Sequence, residues 1–429
     1  MSATPPQAPA HELVQPTIRH GFLDGVLLAV NAVRDAFLFF DAPGCGYEKL
    51  FSVTGTHDLL SDLYRVPTGH RVHCTRVDPD RLVHDRSEEL SESLRRLRQG
   101  EDWPVILVAS MPAVSVTGID YDAIIADAAE PGDHRLVHIR APDIGADWLE
   151  GYAETLLSLS RQLPLDEGGT SPKAVAVVGA LFDRNEGDHV GNLAELRRAC
   201  TAVGLNLVSV WPGGEGVAEL AAVGRAGTIL SLPYGRQAAA ELARRTGANL
   251  VEMDLPLGLQ ASQRWTRTLG EIAGAGGAAL RWAEAELDHT IPLIDAVLED
   301  HLLGRRFGFY GEPLLGEAVL GAFAELGCQP AFAALSVKDH AADELRRRQF
   351  IGQIPTLYRP SVAALEALDR SRLDFCVGSS DGHYLERILD LRRPFVELGY
   401  PSYHYHCLRE RPFLLFRGFV DLVNRVVNR

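Results

Sequence analysis

Phe37-Leu38-Phe39-Phe40-Asp41-Ala42-Pro43-Gly44-Cys45 is an apolar run closed by residues that stop a strand. Four apolar residues without alternation fit a strand covered on both faces, and a stretch at helical spacing follows. The same unit recurs along the chain. Val105–Val108 runs into Ala109-Ser110-Met111-Pro112, Ala174–Val178 into Gly179, and Leu207–Val210 into Trp211-Pro212-Gly213-Gly214. Thr228–Leu232 meets Pro233, Phe307–Tyr310 meets Gly311, Phe375–Val377 meets Gly378, and Phe395–Leu398 meets Gly399. Buried strands alternating with helices form βαβ units, so the pattern predicts a doubly wound α/β architecture with parallel sheets.

Two interruptions divide this rhythm. Asp166-Glu167-Gly168-Gly169-Thr170-Ser171-Pro172 is a polar, glycine-rich linker, and at Gly274-Ala275-Gly276-Gly277 the alternation pauses before a long helical stretch to about Leu303. We expect three Rossmann-like units, at about 16–165, 172–285 and 286–429, around a central cleft. Ligands of such sheets gather where the loops leave the carboxyl ends of the strands.

The 429 residues are 46% apolar and 23% charged, the composition of a packed globule. The net charge of −15 argues against nucleic acid or an anionic membrane surface as partner. No run reaches the roughly 20 apolar residues of a membrane span. Met1–Gln15 lacks a basic segment followed by an apolar one, so it reads as a short extension and the expected location is the cytoplasm. Six cysteines without a CxxC pair are too sparse for a disulfide scaffold. There is no GxGxxG or GxxxxGK[ST] loop for a nucleotide, no HExxH and no GxSxG.

Each cysteine is then core filler, ligand or nucleophile. Cys45 sits between Gly44 and Gly46, after a strand and before a helical stretch, where the helix dipole favours the thiolate. Cys74, in His70-Arg71-Val72-His73-Cys74-Thr75-Arg76, has a basic neighbourhood acting in the same sense. Two such loops make half of an iron–sulfur site; the alternative is that both are small buried hydrophobes. Cys200, Cys328 and Cys376 read as core. Cys407, in Tyr403-His404-Tyr405-His406-Cys407, has a metal site or a packed polar loop as its readings. His383, in Ser379-Ser380-Asp381-Gly382-His383, reads as capping a helix or facing a ligand, and the cap-type residues Ser380 and Asp381 favour the helix start.

Taken in order, these segments resemble the nitrogenase component 1 superfamily over most of the chain. Asp41-Ala42-Pro43-Gly44-Cys45 is similar to the family's first cluster cysteine after its first strand, and Cys74 to the second. The third lies in a family segment S-C-x-x-x-x-x-G-x-D; here the similar stretch reads Ser110-Met111-Pro112 through Gly118-Ile119-Asp120, one residue longer before the glycine and with Met111 in the cysteine's place. Asn192-Leu193-Ala194-Glu195-Leu196-Arg197-Arg198 resembles N-x-x-E-L-x-R. Pro256-Leu257-Gly258-Leu259 resembles P-x-G-[IL], and Gly311-Glu312-Pro313 with Glu325-Leu326-Gly327 resembles G-D-P…E-L-G. The tail resembles the family's closing pattern at Gly399-Tyr400-Pro401, Arg411-Pro412, Arg417-Gly418 and Asn424.

The resemblance implies a β-type subunit, since no cofactor-anchoring cysteine accompanies Leu255–Leu259. It also implies an iron–sulfur cluster ([8Fe-7S] or [4Fe-4S]) held through Cys45 and Cys74 beside Gly44 and Ser110. That cluster would be shared with an α-type sister subunit in an α2β2 heterotetramer, whose own chain can carry a cluster like the FeMo-cofactor. An ATP-dependent iron–sulfur reductase homodimer would deliver electrons. The reaction expected is reductive C–S cleavage, as in methylthio-alkane reductase. The alternatives are tetrapyrrole reduction, or a cofactor-assembly scaffold without turnover. The missing third thiolate would be replaced by a partner residue, by Ser110, or not at all.

Overall fold

The computed structural model describes residues 20–65, 69–100, 102–115, 117–339, 349–368, 373–390 and 393–428. The extension expected at Met1–Gln15 lies outside them. Among the described residues no helix is long and apolar enough to cross a membrane.

Three parallel sheets follow one another along the chain. The first has the order Val72–Cys74, Ala36–Asp41, Val105–Ser110, Leu136–Ile139. The second runs Asn249–Glu252, Ala226–Ser231, Ser171–Val178, Asn206–Trp211, and the third Thr356–Tyr358, Gln329–Leu335, Arg306–Gly311, Phe375–Gly378, Phe395–Glu397. All neighbouring pairs within these sheets are parallel, as the apolar runs predict.

In the first sheet all six residues of Ala36–Asp41 are buried, and the side chains split between the two faces. Phe37 and Phe39 pack with Leu90, Leu94 and Ile124 from the helices Ser87–Gly100 and Tyr121–Ala128. Leu38 and Phe40 enter the main core, whose members come from all three sheets. That face is covered by the wholly buried helix Phe22–Asn31, lying against the helix Trp148–Gln162.

The linker before the second sheet is shorter than expected, because the strand already begins at Ser171. The pause near Gly274 is a helix boundary. Gly274 ends the helix Leu259–Ala273 in the left-handed region, and the 26-residue helix Gly276–His301 follows. The last helix, Leu415–Val427, turns back to pack on Gly187–Ala202, Leu259–Ala273 and Gly276–His301.

Candidate cluster site at the carboxyl edge of the first sheet

The register of the first sheet brings three chain segments to one edge. Phe40 lies opposite Cys74 on one side and Ala109 on the other, and Asp41 lies opposite Ser110. Beyond Asp41 the chain turns through Ala42-Pro43-Gly44, and the helix Gly46–Val53 begins with Cys45 at its N-cap. Gly44 and Cys45 are exposed; Cys74 is buried. Cys74 is the last residue of an edge strand, not a loop residue as its polar surroundings suggest.

Gly46 keeps the two thiol segments close. A Cβ at that position would lie 2.6 Å from the Phe40 ring and 3.4 Å from Cys74 Sγ. Only a residue without a side chain lets the Cys45 turn settle onto Cys74. The Cys74 thiol is nearest to the carbonyl oxygens of Ala42, at 3.6 Å, and Pro43, at 3.9 Å.

The basic neighbourhood of Cys74 does not make it a thiolate. Burial pushes this thiol up to about 11, and the negative Asp41 and neighbouring Cys45 add to the rise against the opposing pull of Arg76. Proton loss at Cys74 therefore needs a cation, such as a metal, brought to the sulfur.

Asp41 anchors the edge. Its Oδ1 accepts from Arg86 Nη1 at 2.8 Å and Thr75 Oγ1 at 2.6 Å, and its Oδ2 from Arg86 Nη2 at 2.6 Å and Tyr121 OH at 2.6 Å. The residue is fully buried. Burial alone would push its carboxyl upward, but the Arg86, Thr75 and Tyr121 bonds outweigh this and hold it below the usual carboxylate range. Its carbonyl accepts from Met111 N at 2.9 Å, so one residue ties together the segments carrying Cys45, Cys74 and Met111.

Ser110 is buried and its hydroxyl bonds the Tyr121 phenol. Met111 is half-buried against the main core. A thioether there brings no charge to a metal, so the chain offers two thiols where three would complete a family half-site.

Sequence reasoning missed a second polar cluster. Asp183, Arg184, Glu186, Asp188 and His189, beyond the strand Ser171–Val178, are all buried. His189 Nε2 lies 2.7 Å from Asp183, and Arg184 clasps Asp188. Glu186 accepts from Leu59 N at 3.1 Å, Cys407 N at 2.6 Å and His406 Nδ1 at 2.9 Å. The cluster thus pins a loop of the first unit and a C-terminal loop to the second. The signal that could have found it is the charged run Asp183–His189 shortly after a core strand. The cavity between Phe182, His189, Tyr234, Leu255, Leu315 and Phe413 holds about 20 Å³, room for roughly one water.

The remaining cysteines are structural. Cys200, Cys328, Cys376 and Cys407 are all buried, and the Cys407 thiol donates to Arg409 O at 3.1 Å, in keeping with a packed polar loop. The cap expected near His383 is displaced. Ser380 and Asp381 lie inside the helix Ser380–Ile388, where the Ser380 hydroxyl accepts from Tyr403 N and Asp381 bonds His20.

The family model of the nitrogenase component 1 type oxidoreductases matches residues 23–429. The chain belongs to this family. The nitrogenase molybdenum-iron protein beta chain of Methanothermobacter thermautotrophicus is 25% identical over 407 residues, covering 86% of this chain and 85% of that one. The corresponding beta chain of a Bradyrhizobium species is 22% identical over 360 residues, covering 76% and 68%. Among solved structures, nitrogenase Cp1 at pH 6.5 shares the fold, with a TM-score of 0.80 at 15% identity over 100% of this chain and 94% of its own.

Several residues that carry the nitrogenase-type resemblance hold the units together. Asn192 Oδ1 accepts from Phe413 N at 2.9 Å and Leu414 N at 3.1 Å. Glu312 caps the helix Pro313–Ala324 and receives Tyr234 OH at 2.5 Å from the second unit. Glu325 binds the backbone N–H groups of Leu259 and Gln260 at the start of Leu259–Ala273.

Proposed function

We propose that this chain is the β-type subunit of the catalytic component of a nitrogenase-like oxidoreductase, with Cys45 and Cys74 as its share of an iron–sulfur cluster completed by an α-type sister chain. The observation that carries the proposal is the convergence of Cys45 and Cys74 on one strand-end edge, joined through Gly46 and braced by Asp41. The residues fit such a group as a half-site. Cys45 is exposed and offers its sulfur without unpacking, and the Cys74 sulfur has long contacts to two carbonyl oxygens and a hydrogen bond from the Arg76 backbone N–H, which favours its thiolate. A cluster at this edge supplies one-electron transfer when bound.

The chain's own residues set the geometry. Asp41 and Arg86 fix the spacing of the strand ends, Gly44 leaves open space for a bulky ligand, Gly46 lets the Cys45 turn pack onto Cys74, and Phe40 walls off the inner side. The absent third thiolate is met from the partner or from Ser110, whose hydroxyl must first leave Tyr121.

Exposed apolar side chains occur in the same part of the chain. Phe51 is 47% exposed, Leu59 47%, Leu60 46% and Val83 83%. We assign this face to the sister subunit of an α2β2 assembly, with an ATP-dependent reductase homodimer as electron donor. The reaction we favour is reductive C–S cleavage. Met111 in place of the third cysteine supports a nitrogenase-like enzyme over a dinitrogen reducer.

Anaerobic purification with the sister chain tests the site. Cys45→Ala and Cys74→Ala should each lower the iron and sulfide content of the complex while the chain keeps its thermal transition. Unchanged iron in both variants defeats the assignment. Reductase- and ATP-dependent release of a thiol from a methylthio-alkane supports the favoured reaction; reduction of a protochlorophyllide instead moves it to the tetrapyrrole class. Cluster transfer to an apo-protein without turnover makes the chain a scaffold.

A further inference from the structure

Away from the cysteine edge, His383, Glu397 and His404 converge at the carboxyl side of the third sheet. One ligand atom from each lies within 4.8 Å of the other two. They come from three pieces of chain: the helix Ser380–Ile388, the end of the strand Phe395–Glu397, and the loop beyond Gly399-Tyr400-Pro401.

The Glu397 carboxylate is held mainly through one oxygen, with the Ser380 side chain as a further hydrogen-bonding neighbour. Its Oε1 accepts from Ser402 Oγ at 2.8 Å, His404 N at 2.9 Å and Tyr405 N at 3.1 Å. Its Oε2 is buried and has no hydrogen-bond partner among the described residues. The nearest cationic candidate is His404 Nδ1, at 3.7 Å. A buried carboxylate oxygen without a donor is costly, and such atoms are rare in folded proteins. The three bonds to Oε1 and the Ser380 side chain account for the position of Glu397, and they leave a carboxylate oxygen within 4.8 Å of the two imidazoles.

The imidazoles are arranged to receive something there. The His383 ring stacks on Phe395 with centroids 5.1 Å apart and planes 12° apart, which fixes its orientation. The His404 ring lies 5.3 Å from that of His383, and its side chain is 52% exposed, so it can swing inward. Donors around a tetrahedral zinc ion sit about 3.3 Å apart, since each bond is about 2.0–2.2 Å. Closing from 4.8 Å is within the reach of one exposed side chain.

We propose that His383, Glu397 and His404 form a mononuclear site for a divalent first-row transition-metal ion, Zn²⁺ foremost. Two neutral imidazoles and one carboxylate suit that class and not Ca²⁺ or Mg²⁺, which take oxygen ligands. The exposed side leaves a fourth position open to water. The ion would clip the loop carrying His406 and Cys407, and with it the Glu186 contact, to the third sheet. This site is independent of the cysteine edge and contains no sulfur.

The full-length chain, stripped with chelator, is titrated with Zn²⁺ and separately with Co²⁺, as wild type and as His383→Gln and His404→Ala. The wild type should bind one more ion than either variant. Its cobalt form should show visible d–d bands, lost in both variants, with no thiolate-to-metal band belonging to that ion. Metal-free variants should melt with the metal-free wild type. Should one fail to fold, His404→Cys takes its place: it should keep the ion and gain a thiolate-to-cobalt band. Equal ion counts and the same cobalt spectrum in the wild type and the His variants, or no new band in His404→Cys, overturn the proposal.

Discussion

Asp41 shows how much of the first sheet rests on a single side chain. It receives both terminal nitrogens of a buried Arg86 and the hydroxyls of Thr75 and Tyr121. Asp41→Asn leaves Arg86 as a buried charge without its counter-ion, a loss of about 3–5 kcal/mol at neutral pH. The acid limb follows from the direction of the shift. The native carboxyl titrates below its unfolded value of about 3.9, so its contribution is complete above that pH and disappears as pH falls through the native value. Urea midpoints at pH 7 and near pH 3 should therefore show the gap between wild type and Asp41→Asn narrowing in acid. A gap independent of pH contradicts this account. None of it was legible at Asp41 itself, which read as the end of a strand. Its partners lie 34, 45 and 80 residues further along the chain, and a local pattern carries no trace of them. Cys45 was legible because its cues are local: a strand before it, a helix after it and a glycine on either side. For Cys74 the local cue misled, since burial outweighs the flanking arginines.

At the scale of elements, the central strands were readable and the edges were not. Ala36–Asp41 and Val105–Ser110 are covered on both faces and so appear as unbroken apolar runs. Val72–Cys74 is a three-residue edge strand whose middle residue, His73, is exposed, so it reads as a basic loop. The helix Leu259–Ala273 shows what the family's P-x-G segment is for. Gly258 has φ 96° and ψ 166°, a region open almost only to glycine, and a Cβ there would lie 2.6 Å from Glu325 Oε1 and 2.9 Å from Ala322 Cβ. The close approach lets Glu325 of the third unit satisfy two of the free N–H groups at this helix start and place its charge on the positive end of the dipole. Gly258→Ala should thus cost about 3 kcal/mol or more, from backbone strain and displacement of Glu325 together. Gly247 also has positive φ, 73°, but nothing lies within 4 Å of its would-be Cβ. Gly247→Ala should cost only about 1 kcal/mol. Chemical denaturation of the pair checks the ranking; equal losses would mean that the Glu325 contact contributes nothing.

At the scale of the molecule, the sequence disclosed three repeating α/β units but not how they are joined. The joints are buried polar contacts between residues far apart in the chain: Glu186 to the loop at Leu59 and to Cys407, and Asn192 to Phe413 and Leu414. These contacts close the seams between the units, while the two cysteines lie at the carboxyl edge of the first sheet. That edge faces solvent at Cys45, and the segment following it exposes Phe51, Leu59 and Leu60. If the α-type chain docks there, Phe51→Glu with Leu60→Glu places two charges in a desolvated contact, where an unpaired charge costs several kcal/mol, equivalent to a 100-fold or greater loss of affinity. Both residues are about half exposed in the single chain, so its own melting temperature should shift little. Co-purification of the sister chain should fall sharply, and iron content should fall with it, because a cluster shared between two chains needs both. Full recovery of the complex with normal iron would move the interface elsewhere. Loss of the partner with iron retained would make the cluster the property of this chain alone.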